Sequence, residues 1–334
     1  MSIRLTAPPA GLLACVIALT LLAPNAGARS VTAELRVEGP GVTLDPGTWY
    51  VTSSERIDRG SSSKCKANGR HATLDGPTAL GILAPFSKLD PDGSPLLART
   101  DAAIPGELLL CRVGKFKANQ AFTKFWNYWV NYVPPSVGAS SFRLHRHDHV
   151  LWSFGVVTGT FGGPNDFNTG DALELRSAVA STPGAPITVT VIRHPFFGDP
   201  SRAAGVTVSG GDAPVTTDAN GHANVTVSHP GFATLVATDR PDVPSNRLRV
   251  CVNADPAKCP VAFGKTIVGS QRGDRIRGTR GWDRIKARGG RDVITIRNGG
   301  RDRVNCGGGR DRVVVDHGDG DDRIAKSCER VIKR

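Results

Sequence analysis

The clearest chemical pattern in the 334-residue chain is a set of six aspartates near the C-terminus that recur every 9 to 11 residues. A glycine lies one or two positions before each aspartate, and an aliphatic residue lies two positions after it. Carboxylate oxygens are hard anionic ligands for Ca²⁺, and glycine allows the tight turns that bring them together. The pattern predicts stacked turns whose candidate calcium ligands are Asp274, Asp283, Asp292, Asp302, Asp311 and Asp322.

These repeats resemble the nonapeptide of RTX (haemolysin-type) calcium-binding proteins, most closely in GTRGWDRIK at 278–286 and GDGDDRIAK at 318–326. The resemblance implies a C-terminal parallel β-roll over residues 261–334, with calcium between its turns and aliphatic side chains in its core.

The repeats depart from that family pattern, because an arginine stands beside the aspartate in every one of them. The 18-residue spacing that stacks two turns is kept only between Asp274 and Asp292. We therefore expect Arg–Asp ion pairs to replace calcium as the main contact between turns. Calcium is then limited to one or two ions near Asp274, Asp283 and Asp292.

Seven cysteines indicate disulfide chemistry once the first, Cys15, is assigned to a leader segment. The remaining six allow 15 connectivities, and they fall two to a segment, which favours pairing within each segment. We predict the pairs Cys65–Cys111, Cys251–Cys259 and Cys306–Cys328. Disulfides of this kind are typical of exported proteins.

The N-terminus has the features of a secretory signal peptide over residues 1–28. Arg4 precedes an apolar run at 11–23, and Ala26 and Ala28 form an A-x-A cleavage signal. A lipoprotein box ending at Cys15 is the alternative, although the apolar run continues beyond it. With no second apolar run of that length, we expect a secreted, extracellular protein, either free or associated with the cell surface, without a transmembrane segment.

An aromatic stripe is the densest apolar feature of residues 29–154. As a strand, the segment places Trp126, Tyr128 and Tyr132 on one face. Large rings dominate burial, so packing is the first interpretation. The alternative is a ligand-binding wall for a flat molecule such as a tetrapyrrole or a glycan.

Residues 31–154 also resemble a transcobalamin-like domain of unknown function found in secreted bacterial proteins. The similarity lies in LRVEGPGVTLDPGTWYVT, TALGIL, FWNYWVNY and LHRHDHVLWSF, in that order. It implies a small α+β domain with one helix, which we place over residues 78–89. It does not imply cobalamin binding, because the partner helical domain of the cobalamin carriers is absent from the chain.

Three alternating histidines, His145, His147 and His149, depart from the Gly-Asp turn of that family. On one strand face they could chelate zinc or copper, whereas a bend at His147 would separate them. The chain contains no G-x-S-x-G nucleophile elbow, and we expect no enzymatic activity.

The middle of the chain, residues 171–260, contains short Val- and Thr-rich strand patterns and an Asn220-Gly221 turn signal. It resembles the bacterial Ig-like β-sandwich domains that serve as spacers in surface proteins. Residues 155–170, rich in glycine, are the expected linker before it.

Composition limits the function classes. The net charge is +12, but residues 261–334 hold 19 Lys and Arg against 10 Asp and Glu. An excess of basic over acidic residues that is confined to one segment argues against a nucleic-acid partner for the protein as a whole. Our first hypothesis is a secreted, mostly β, multidomain binding or adhesion-type protein whose partner is an extracellular ligand. The alternatives are a carrier of a small ligand and a binder of an anionic cell-wall polymer through the basic C-terminal segment.

Overall fold

A computed structural model describes residues 30–58, 71–88, 97–100, 108–119, 123–156, 170–260, 263–297, 299–316 and 321–334. This part of the chain is mostly β, as predicted, and its only helices are two short 3₁₀ segments, Gly81–Lys88 and Pro256–Lys258. The helix expected over 78–89 is thus 3₁₀ and not α, in keeping with Pro85, which lacks the backbone N–H of an α-helical hydrogen bond. The expected leader, Cys65 and most of the expected linker lie outside the described residues.

The N-terminal region is built around strand β1 (Val31–Gly39). It pairs antiparallel with β2 (Val42–Thr52) on one side and parallel with β9 (His149–Val156) on the other. Strand β8 follows β9 at the edge, and two small antiparallel sheets, β3-β4 and β5-β6-β7, lie apart from it. The strands are β1 Val31–Gly39, β2 Val42–Thr52, β3 Arg56–Asp58, β4 His71–Thr73, β5 Leu97–Thr100, β6 Leu108–Val113, β7 Phe116–Lys117, β8 Lys124–Val130 and β9 His149–Val156.

The middle region is a two-sheet β-sandwich, with β10, β12, β13 and β16 in one sheet and β11, β18, β17, β14 and β15 in the other. Alternate Val and Leu side chains from both sheets fill its core. The strands are β10 Ala172–Ser177, β11 Ala180–Ser181, β12 Pro186–His194, β13 Ser201–Arg202, β14 Thr207–Ser209, β15 Val215–Thr216, β16 His222–Thr226, β17 Gly231–Thr238 and β18 Leu248–Val252.

The C-terminal region is a solenoid of short parallel strands that alternate between two sheets. One sheet holds β19, β21, β23 and β25, and the other holds β20, β22, β24 and β26. One inward aliphatic residue on each of the strands β19 to β24, such as Ile276, Ile285 or Ile294, is at most 2% exposed. The strands are β19 Thr266–Val268, β20 Arg275–Arg277, β21 Arg284–Lys286, β22 Val293–Thr295, β23 Arg303–Asn305, β24 Arg312–Val315, β25 Arg323–Ile324 and β26 Arg330–Lys333.

The solenoid and the N-terminal region share one sheet. Strand β19 pairs parallel with β2, Ile267 opposite Trp49 and Val268 opposite Tyr50, which makes an eight-stranded sheet running from β8 to β25. The first coil of the solenoid is therefore covered by another strand. The sequence patterns did not indicate this junction, because its two strands lie more than 200 residues apart in the chain.

The sandwich also packs against the N-terminal region. Trp129, which is fully buried, lies in a small apolar cluster with Leu151, Ala172 and Val243. Tyr132 stacks on His194 with ring centroids 4.8 Å apart. None of the helical segments in the described residues has the length and hydropathy needed to span a membrane.

Candidate functional site: two carboxylate columns and their arginines

The repeat aspartates form two buried columns, one along each edge of the solenoid. We call them the Asp283 column, which contains Asp283, Asp302 and Asp322, and the Asp292 column, which contains Asp274, Asp292 and Asp311. Five of these six side chains are at most 3% exposed, and Asp322 is half-buried. Each aspartate comes directly before a strand, so parallel stacking of the strands places the carboxylates above one another.

In the Asp283 column, each carboxylate accepts a hydrogen bond from a backbone amide of the preceding coil. The amide of Lys265 donates to Asp283 Oδ1 at 2.7 Å, that of Asp283 to Asp302 Oδ1 at 2.8 Å, and that of Asp302 to Asp322 Oδ1 at 2.9 Å. The hydroxyl of Thr279 also donates to Asp283, at 2.8 Å. The carboxylates thus connect successive coils through charge-assisted hydrogen bonds.

The Asp292 column repeats this geometry on the opposite edge. The amide of Asp274 donates to Asp292 Oδ1 at 2.7 Å, that of Asp292 to Asp311 Oδ1 at 2.8 Å, and that of Asp311 to Glu329 Oε2 at 2.8 Å. The second oxygens of Asp292 and Asp311 are buried without a hydrogen-bond partner. Burial, reinforced by the charges of Asp274 and Asp311, raises the pKa of Asp292 to about 7.

The arginines beside the aspartates are exposed, while the carboxylates accept hydrogen bonds from backbone amides. In the described residues of the solenoid, the Arg–Asp ion pairs are Arg297–Asp316 at 3.2 Å and Arg301–Asp321 at 3.0 Å, and neither includes a repeat aspartate. Arg–Asp pairs therefore do join successive coils at these two places. They do not use the repeat aspartates, whose carboxylates accept from backbone amides.

Three of these arginines form an exposed column of like charge. Arg284 is directly opposite Arg303, and Arg303 is directly opposite Arg323, on adjacent parallel strands. Neighbouring strands in a sheet lie about 4.8 Å apart, so the three side chains leave the surface in a close row. Within the described residues, none of the three is in an ion pair.

A groove of about 470 Å³ runs along this edge, lined by the three arginines together with Trp282, Arg301 and Asp321. Sequence reasoning missed Trp282, although its place directly before a repeat aspartate predicts a turn and hence exposure. A second groove, of about 630 Å³, follows the opposite edge and is lined by Arg275, Arg312 and Arg330 among others. Arginine therefore borders both carboxylate columns.

The donor set does not fit a calcium site of the ordinary kind. Calcium takes 6–8 oxygen ligands, and the unpartnered oxygens of Asp292 and Asp311 supply two. Among the described residues, no group of three or more His, Cys, Asp or Glu side chains is placed to hold a metal ion. Calcium binding at the repeats stays a prediction.

The aromatic stripe lies inside the protein. Trp126 is 8% exposed, and Tyr128 stacks on Trp152 with centroids 5.1 Å apart. Both pack in the N-terminal core, whereas Tyr132 belongs to the contact with the sandwich, where its hydroxyl donates to Asn246 at 3.1 Å. The placement of Tyr132 on the face of Trp126 is thus wrong, because β8 ends at Val130 and Tyr132 has a positive φ of 63°.

The three histidines do not share a strand face. Strand β9 begins at His149, and His147 has a left-handed φ of 72° in the preceding turn. His147 and His149 contact Trp49 edge-on, and His149 also contacts Glu34, whereas His145 is largely exposed. The turn at His147 interrupts the run, so the three imidazoles do not lie on one strand face.

Two of the predicted disulfides are present. Cys251 is bonded to Cys259 and Cys306 to Cys328. Cys111 is disulfide-bonded as well, and its predicted partner Cys65 lies outside the described residues.

No protein-family model matches the chain, and comparison with curated proteins and with solved structures finds no similar protein. The site must be interpreted from its own geometry.

Proposed function

We propose that this protein is an extracellular, non-enzymatic binding protein whose C-terminal solenoid binds an anionic polymer. The observation that carries the proposal is the exposed row of Arg284, Arg303 and Arg323 in direct register on three parallel strands.

Such a row is unfavourable unless something compensates it. Like charges directly opposite one another on neighbouring strands destabilise a sheet. A polymer with regularly spaced anionic groups relieves that repulsion, and guanidinium groups bind carboxylate, sulfate and phosphate through two parallel hydrogen bonds.

The carboxylates beneath the row do not occupy the arginines. Asp283 and Asp302 accept from the amides of Lys265 and Asp283, so the guanidinium donors of the row remain available to a ligand. The rigid stacking of the coils fixes the spacing of these donors before binding, which lowers the entropic cost of association.

Export is supported by the signal-peptide pattern of residues 1–28 and by the disulfides, since disulfides persist in oxidising compartments. Mass spectrometry of the protein secreted by its host tests this part. We expect a mature N-terminus at Arg29, and an acylated Cys15 would show a lipid-anchored protein instead.

Binding of the full-length, disulfide-bonded protein to polyphosphate and to polygalacturonate, measured by isothermal titration at two salt concentrations, tests the proposal. We expect Arg303→Gln to weaken both interactions and added salt to weaken binding by the wild type, because surface charges are screened within about 8–10 Å at moderate ionic strength. Arg297→Gln is the matched control, since Arg297 is already paired with Asp316. Equal affinities for the wild type and Arg303→Gln would refute the proposal.

A further inference from the structure

Trp282 differs from every other tryptophan of the chain in its exposure. It is 57% exposed, whereas Trp49, Trp126, Trp129 and Trp152 are at most 8% exposed. A solvent-exposed tryptophan contributes nothing to the core. Tryptophan is, however, one of the residues enriched at binding hot spots, where its large ring anchors a ligand.

The place of Trp282 in the repeat puts it beside charged groups. It directly precedes Asp283 as Arg301 precedes Asp302 and Asp321 precedes Asp322, so the three side chains stand at equivalent positions of successive coils. The guanidinium of Arg301 lies 5.5 Å from the Trp282 ring centroid and 3.0 Å from the Asp321 carboxylate. One groove therefore contains an aromatic surface, a carboxylate and the arginine row.

We infer that this groove binds an acidic polysaccharide, with a sugar ring against Trp282 and its carboxylate or sulfate groups on Arg284, Arg303 and Arg323. The inference rests on the proposed function and specifies the class of its polymer. An aromatic ring matches the apolar face of a sugar, which a chain of phosphates does not offer.

The exposed carboxylate of Asp321 favours a polysaccharide over single-stranded nucleic acid, which would also combine stacking with anionic groups. A carboxylate accepts hydrogen bonds from sugar hydroxyls, which a polysaccharide carries in number and a DNA strand such as oligo(dT) lacks along its chain. The opposite edge supplies a natural comparison, because its equivalent positions, directly before the repeat aspartates, hold Gly273, Arg291 and Arg310. That edge has charge without an aromatic surface.

Titration of the full-length protein with polygalacturonate, polyphosphate and oligo(dT) tests the inference. We expect Trp282→Ala to weaken polygalacturonate binding by at least roughly fivefold, as for a tryptophan anchor, and to leave polyphosphate binding within roughly twofold. Trp282→Phe keeps an aromatic surface and should retain most of the affinity. Because the side chain is exposed, the melting temperature of both variants should match that of the wild type.

The outcomes separate the inference from the proposed function. Equal effects of Trp282→Ala on polygalacturonate and polyphosphate, or no effect on either, would overturn the inference while Arg303→Gln still tests polyanion binding. A larger loss for oligo(dT) than for polygalacturonate would assign the groove to nucleic acid and also overturn the inference. If Arg303→Gln binds both polymers as tightly as the wild type does, the proposed function is refuted, and with it the inference that rests on it.

Discussion

The sandwich and the solenoid are both built from short strands, yet they satisfy their buried polar groups by opposite means. In the sandwich, neutral hydroxyls bridge the backbone: Thr217 accepts from the amide of Val206 at 2.9 Å and donates to the carbonyl of Ala203 at 2.6 Å. In the solenoid, carboxylates such as Asp283 and Asp292 do so, once at each edge of a coil.

The difference follows from how the coils close. A sandwich strand finds most of its partners in its sheet, whereas each solenoid turn leaves an amide pointing along the stack with no strand carbonyl to receive it. A carboxylate makes a stronger bond to that amide than a hydroxyl does, but it brings a buried charge. The solenoid therefore gains strong contacts between coils and becomes sensitive to protons.

Removal of one repeat carboxylate tests this comparison, and it is the change that we expect to lower stability most. Asp283→Ala leaves the amide of Lys265 and the hydroxyl of Thr279 without their acceptor. We expect a loss of about 4 kcal/mol in the unfolding free energy of the solenoid, since bonds to charged groups contribute about 1.5–3 kcal/mol each. Denaturant unfolding followed by circular dichroism measures it.

Thr217→Ala is the control from the sandwich. We expect it to cost about 1–2 kcal/mol, the usual penalty for a neutral buried hydrogen bond. Equal losses in the two variants would mean that the carboxylates are not the stronger contact.

The two disulfides provide a second test of the comparison, with a slightly smaller expected loss of unfolding free energy. The bond Cys306–Cys328 closes a separation of 22 residues at the end of the solenoid, and Cys251–Cys259 closes 8 residues beside the sandwich. Chain entropy then predicts losses of about 3.4 and about 2.5 kcal/mol when each pair is replaced by alanine. Thermal unfolding of the two double variants checks the order, and a larger loss for Cys251 and Cys259 would reverse it.

The third prediction concerns pH, to which Asp292 of the solenoid and Glu174 of the sandwich should contribute with opposite signs. The pKa of Asp292 is raised to about 7, so the folded solenoid binds a proton that the unfolded chain releases near pH 4. Its stability should fall as pH rises from about 4 to about 7, with a slope of at most about 1.4 kcal/mol per pH unit.

In the sandwich, burial alone would raise the pKa of Glu174, but hydrogen bonds from His194 and Arg176 outweigh it and lower the pKa. The contribution of Glu174 is therefore present at neutral pH and lost as pH falls through its lowered pKa.

Unfolding curves of the wild type and Asp292→Asn between pH 4 and pH 8 measure these slopes. Asparagine keeps an acceptor for the amide of Asp274 and does not titrate, so the variant should lose the slope assigned to Asp292. A slope that persists in Asp292→Asn would assign the proton to another group. A slope that disappears from the wild type on adding millimolar calcium, and returns with chelator, would restore the calcium interpretation of the repeats.

The parallel two-sheet architecture of residues 263–334 could be predicted because its signal is local. One aliphatic residue lies two positions after each aspartate, and Ile276, Ile285, Ile294, Val304 and Val313 all point into the core. The same spacing located the aspartates at the turns.

The partner of each aspartate could not be predicted from spacing. The intervals of 19 and 20 residues suggested broken stacking, yet Arg284 pairs with Arg303, and Arg303 with Arg323, in full register. The strands stay in register because their inward aliphatic residues stack in one core. That a backbone amide and not an arginine occupies the carboxylate depends on this stacking, which composition does not contain.

The contacts between regions were also beyond the sequence patterns. Trp129 and Tyr132 look like members of a strand stripe, and their burial depends on Val243 and Asn246 more than 100 residues away. Such pairings leave no periodic signal, since each partner resembles an ordinary core or turn residue.

The strand pair β2–β19 has a consequence for the order in which the molecule forms. Repeat arrays can in general begin folding at any repeat, because each contacts only its neighbours. Here the backbone edge of β2, at Trp49 and Tyr50, offers a ready template to the first coil, and it is synthesised more than 200 residues earlier. We expect nucleation at Ile267 followed by coil-by-coil growth towards Cys328, so that the last disulfide closes only when the coils below it are in place.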